Sequence, residues 1–194
     1  MSNKNIILFT TIFLLNTVSY SQPGSFQKWG LWGSFGFGGS YSQSHRLDGN
    51  LRAGITSQLN RFAVEYRYFR GTEIQIFILP SERINENSLL IGFPLYQNKY
   101  ISLLALAGPS IIHGDQRDSL ISGDLLNSRY SIKKYRKPGA SFELQFLFAM
   151  KRYLGFGTSL NANVNSINSF IGMSGNVYFG RLHRFVIESR QKTN

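Results

Sequence analysis

Four charged residues stand out by their neighbours. Arg52, Glu65, Arg67 and Glu143 are each flanked directly by apolar or aromatic side chains: Leu51 and Ala53, Val64 and Tyr66, Tyr66 and Tyr68, Phe142 and Leu144. In an extended chain successive side chains point to opposite faces, so such a charge lies on the face away from its apolar neighbours. If the apolar face is the outer one, the four charges project into an enclosed interior. Buried charge is costly unless it is paired and hydrogen-bonded. The chemistry expected of them is therefore mutual: two guanidinium and two carboxylate groups forming a salt-bridged plug that fixes strand register. A proton or ion path is the sharper alternative.

A second cluster is basic. Arg129, Lys133, Lys134, Arg136 and Lys137 end a polar stretch, Gly114–Lys137, that also holds Asp115, Arg117, Asp118 and Asp124. The stretch reads as the longest loop of the molecule, and the cluster as a site for anionic phosphate groups. A solvated loop is the plainer reading, because runs of like charge are commonly disordered.

Catalysis has a weaker case. Ser110, His113, Asp115 and Ser119 bring hydroxyl, imidazole and carboxylate close in sequence, the components of an ester hydrolase, but a triad is defined by geometry and not by proximity along the chain. The histidines His45, His113 and His183 have no second ligand at metal spacing, and there is no cysteine, so neither a metal nor a cofactor is expected. Gly36-Phe37-Gly38-Gly39 resembles part of a phosphate loop, yet it lies within an alternating segment with no helix after it.

The elements that must position these groups are strands. Residues 1–21 have the layout of a cleaved export signal, with Lys4, an apolar run from Ile6 to Leu15, and small residues Ser19 and Ser21 before Gln22. The apolar run is too short for a spanning helix. Residues 22–194 then form one domain, and removal of Lys4 with the signal leaves it at net +10. Charged residues are only 16% of the chain while Gly reaches 19 and Phe plus Tyr 26, a balance suited to contact with lipid on one side.

Alternation with a period of two runs through nearly all of the domain. Eight strands are expected: Trp29–Ser42, Asn50–Leu59, Phe62–Ile78, Ser88–Tyr96, Tyr100–His113, Ser141–Met150, Leu154–Asn165 and Phe170–Leu182. In most of them one parity is apolar, as in Phe142, Leu144, Phe146 and Phe148, and the other small or polar, as in Ser159, Asn161 and Asn163. Tyr100–His113 is apolar on both parities and its facing is open. Links Asn60-Arg61, Gln97–Lys99 and Lys151-Arg152 are short. They alternate with the longer Gln43–Gly49, Leu79–Asn87 and Gly114–Lys137 and with Ser166–Ser169. Short turns on one side, longer loops on the other and an even strand number are the pattern of a closed antiparallel up-and-down barrel in a bacterial outer membrane. In hydrocarbon only closure satisfies the backbone of a strand protein.

The opening Trp29-Gly30-Leu31-Trp32-Gly33-Ser34-Phe35-Gly36-Phe37-Gly38, the strand Phe142-Glu143-Leu144-Gln145-Phe146-Leu147-Phe148 and the closing Gly175-Asn176-Val177-Tyr178-Phe179 resemble small outer-membrane barrels of the OmpA and OmpX type. Gln22 after the cleavage site resembles exported proteins of Bacteroidetes. The resemblance implies a non-enzymatic protein with a structural, surface-contact or envelope-machinery role. Its partners would be outer-membrane lipids, lipopolysaccharide or other envelope proteins, and nucleic acid is excluded by export. It also implies an aromatic girdle, for which Trp29, Trp32, Tyr41, Tyr66, Tyr68, Tyr96, Tyr100 and Tyr153 are candidates, and a terminal aromatic at Phe179 or Phe185. A lipid-A deacylase or acyltransferase, and a soluble lipocalin-like carrier with its apolar faces inside, are the competing functions.

Overall fold

The computed structural model describes residues 29–43, 46–59, 61–74, 82–98, 100–122, 129–151 and 153–182. The export segment 1–21, His45, His183 and Phe185 lie outside them. Among the described residues the chain forms β1 (Trp29–Ser42), β2 (Arg46–Leu59), β3 (Phe62–Glu73), β4 (Arg83–Gln97), β5 (Ile101–Ser122), β6 (Arg129–Lys151), β7 (Leu154–Asn165) and β8 (Phe170–Arg181). Each pairs antiparallel with the next, and β1 pairs with β8 to close the ring. No strand edge is left open, the condition for a sheet in hydrocarbon.

Alternation decides the facing of every strand. On β6, Phe142, Phe146 and Phe148 are exposed on the outer wall while Ser141, Glu143 and Gln145 are buried in the lumen; on β3, Val64 and Tyr66 point out while Glu65 and Arg67 point in. β5, apolar on both parities, turns Leu104, Leu106, Ser110 and Ile112 inward and Ala107, Ile111 and His113 outward. Trp32 is also inward and only 4% exposed, so it belongs to the lumen and not to the girdle. Tyr96, Tyr100 and Tyr153 are exposed at the short-turn end.

The largest departure from the sequence reading lies at the opposite end. β2 begins at Arg46 and β4 at Arg83, within segments expected to be loops, and β5 and β6 absorb most of Gly114–Lys137. The reason is cross-strand pairing. Ile112↔Lys137, Asp115↔Lys134 and Arg117↔Ile132 continue without a break the ladder that begins at Ile101↔Phe148. A polar strand is stable when its backbone is already registered by the hairpin beneath it. β5 and β6 thus reach 22 and 23 residues, against 12 for β3, β7 and β8, where about 9–11 suffice to cross a membrane. β3 ends at Glu73, and Ile76 and Ile78, expected on it, lie outside the described residues.

The lumen is filled in three layers. Near the short turns, Trp32, Ala63, Leu90, Leu104, Leu147 and Tyr178 form an apolar plug. Toward the long-loop end a second plug joins Phe69, Ile84, Ile112 and Phe170, with Tyr135 packed against it; the Phe69 and Phe170 rings stack at 4.7 Å. Between them lies a polar layer. A filled interior is what eight strands can enclose.

The β1–β8 seam is lined with glycine. A Cβ at Gly36 would lie 1.9 Å from the Asn176 side chain, and one at Gly38 1.8 Å from the Met173 carbonyl oxygen. Only glycine lets the two strands approach this closely.

Candidate functional site

The polar layer is built by β2, β3, β4 and β6, each sending inward one or two long charged side chains. Arg52 on β2 pairs with Glu65 on β3 and, at 2.6 Å, with Glu143 on β6. Arg67 on β3 reaches Glu143 at 2.6 Å and Glu86 on β4 at 2.5 Å. All five side chains are 0% exposed. Glu143 bridges the two arginines, so the pairs form one chain, Glu65–Arg52–Glu143–Arg67–Glu86, crossing the lumen.

Neutral partners complete it. Thr56 donates to Glu65 at 3.0 Å, and Gln145 donates to the same carboxylate; Ser141 donates to Glu86 at 2.6 Å, and Ser34 accepts from Arg52 at 2.6 Å. On the β7–β8 side the layer continues as hydroxyls and amides: Asn163 donates to Ser110 at 2.8 Å and to Ser141 at 2.7 Å, while Asn176 donates to Ser159 at 3.1 Å. The small residues alternating along β7 and β8 leave the space that the arginines fill.

Arg52, Glu65, Arg67 and Glu143 are therefore together, with Glu86 as a fifth member that the sequence reading missed. Glu86 falls in the segment taken as a polar loop. Its signal was parity: Glu86, Ser88 and Leu90 share one face, opposite Leu89 and Ile91.

The hydrolase components separate. Ser110 is inside the barrel, bonded to Asn163, whereas His113 is exposed on the outer wall. An odd sequence separation on a strand puts two side chains on opposite faces, so β5 holds Ser110 away from His113 and Asp115, while the Ser119 side chain lies outside the described ones.

The basic cluster is not a loop. Arg129, Lys133, Lys134, Arg136 and Lys137 all lie on β6, paired against β5. Lys133, Lys134, Arg136 and Lys137 are exposed. Alternation splits them: Lys134 and Arg136 continue the outward parity of Phe142, while Lys133 and Lys137 continue the lumen parity of Ser141.

The wall below is apolar, with Phe37, Ile55, Phe62, Ile91, Phe146, Leu160 and Met173 between 43% and 68% exposed. A soluble carrier needs the reverse, with its apolar side chains inside.

No protein-family model and no curated protein sequence matches the chain. Solved structures do. Neisserial surface protein A, NspA, aligns with a TM-score of 0.58 at 8% identity, covering 81% of this chain and 99% of that one. Ail, the attachment invasion locus protein of Yersinia pestis, solved in complex with the heparin analogue sucrose octasulfate, aligns with a TM-score of 0.55 at 13% identity, covering 80% and 100%. A structure of the same outer membrane protein in a phospholipid bilayer nanodisc matches at 0.43. The fold is that of the small eight-stranded outer-membrane β-barrels.

Proposed function

We propose that this protein is a non-enzymatic β-barrel of a bacterial outer membrane, exported by residues 1–21, whose role is surface contact made through the β5–β6 hairpin. The observation that carries the reading is the pairing of an exposed apolar wall with a lumen whose buried charges are ion-paired to one another. Water is a poor solvent for such a wall, and exposed apolar areas of this extent mark a membrane or a partner. The two plugs and the ion-paired layer fill the lumen, so transport through the barrel has no support.

Among the described residues the hairpin extends furthest beyond the apolar belt, and it is basic on both faces. That favours an anionic partner at the surface: lipopolysaccharide or an acidic polymer. A polysulfated ligand bound to Ail, which shares the fold, supports the same class. Arg52, Glu65, Arg67, Glu86 and Glu143 serve structure in this reading, by fixing register.

Envelope fractionation tests the location. The protein should appear in the outer-membrane fraction and change mobility on an SDS gel between unheated and boiled samples, because its backbone bonds are satisfied within a closed structure. Recovery in the soluble periplasm without a shift would refute it.

A further inference from the structure

Register places a row of cations across the outer wall. Arg70 on β3 pairs with Asn85 on β4, Asn85 with His113 on β5, and His113 with Arg136 on β6. One step nearer the long loops the row reads Thr72, Arg83, Asp115, Lys134. All eight lie on the outward parity of their strands, and Arg70, Arg83, His113, Lys134 and Arg136 are exposed. Two such rows, three strand spacings wide, cover about 14 Å by about 7 Å. Asp115 is the acid among them. With four arginine and lysine side chains against that single carboxylate, the patch is strongly cationic even with His113 neutral.

Among the described residues, Arg70, Arg83, Lys134 and Arg136 have no salt-bridge partner. Arg117 nearby differs: it is held by Glu73 and Glu82.

Directly below lie Tyr68, Asn87 and Ile111, then Tyr66, Leu89 and the apolar belt. Near the long-loop ends of the other strands the wall is apolar: Tyr41, Leu47, Val164 and Ile171 on β1, β2, β7 and β8 are 45–67% exposed. Among the described residues the outward cations of the long-loop end gather on this flank, at the edge of the belt, where the headgroups of surrounding lipids stand.

We infer that the β3–β6 flank is a binding site for a multiply phosphorylated glycolipid of the lipid A type, its phosphates on Arg70, Arg83, Lys134 and Arg136 and its acyl chains on the belt below. This rests on the membrane reading given above. A soluble anion would use the same cations but gain nothing from the belt. Arginine suits the task because its planar fork binds phosphate oxygens two at a time, and a patch this wide engages more than one phosphate.

The test uses the full mature chain folded in a zwitterionic detergent, with the urea midpoint of unfolding followed as lipid A is added. Lipid A should raise the midpoint saturably. Dephosphorylated lipid A and inorganic phosphate at the same concentration should not. Each cation removed should weaken apparent affinity about fivefold, so R70Q/R83Q/K134Q/R136Q should lose the response. K134Q/R136Q alone should weaken it about 25-fold, whereas K133Q/K137Q, which removes the same two charges from the other face of the hairpin, should weaken it less than twofold.

An equal response to inorganic phosphate, or an equal loss in K133Q/K137Q, overturns the site. Heat-dependent gel mobility of the same samples keeps the two readings apart. A folded, membrane-inserting barrel that ignores lipid A refutes only the site, whereas failure to insert into any vesicle refutes the membrane reading beneath it.

Discussion

The lumen layer and the β3–β6 flank use the same side chains under opposite conditions. Inside, Arg52 and Arg67 are 0% exposed and each touches two carboxylates. Outside, Arg70 and Arg83 are exposed, with no carboxylate paired to them among the described residues. An arginine in a filled barrel has to bring its counter-charge with it, since an uncompensated ion there costs several kcal/mol. At the rim water already stabilises it, and its field stays available for another molecule. Where charge is paired it holds strands together; where it is unpaired it is available to another molecule.

Arg67→Ala should break that contrast most severely. It strips Glu86 and Glu143 of a shared partner, and a loss of about 3–5 kcal/mol is expected in urea unfolding from lipid vesicles. Arg67→Met combined with Glu86→Gln and Glu143→Gln should recover a good part of the loss. If Arg67→Ala were as mild as a surface change, the lumen charges would not be acting as a matched set.

Next is the wall. Phe146→Arg, midway up the apolar belt, should cost roughly 2–4 kcal/mol in the same measurement, and Tyr153→Arg, at the short-turn rim, about 0–1. Equal costs would mean that the belt does not lie in hydrocarbon. Asn163→Ala removes two buried bonds, to Ser110 and Ser141, and leaves both hydroxyls short of a donor, for roughly 1–3 kcal/mol. Arg70→Gln closes the series: a stability change within about 0.5 kcal/mol, in contrast with Arg67, three positions along the same strand on the opposite face.

Much of the barrel was legible because a lipid-facing wall forces strict alternation. Phe142 to Phe148 against Ser141 to Gln145 leaves one solution, and β1 and β7 carry the bounds that the alternation gives them. Two things blurred the rest. β5 has Leu104 and Leu106 in the apolar plug, so its inner face is as apolar as its outer one and parity says nothing. Beyond the membrane neither face of a strand needs to be apolar, and Arg83 to Asn87 or Lys133 to Lys137 then reads like a solvated loop. Glu86 was lost for that reason, and the basic cluster was placed on a loop. The rows on the flank depend on the register of four strands at once, which no segment contains.

The glycine-lined seam bears on the order of events in folding. It joins Leu31 to Arg181, residues of the first and the last strand, whereas the other seven ladders join strands consecutive in the chain. Contacts distant in sequence are entropically expensive to form early and tend to set the rate. Hairpins can zip locally, but closure waits for the last strand, and until then β1 and β8 are two open edges of the kind that invite mispairing. Because Gly36 and Gly38 offer no side chain to be cleared from the path of β8, the step with the longest wait meets the least steric resistance once its partner arrives.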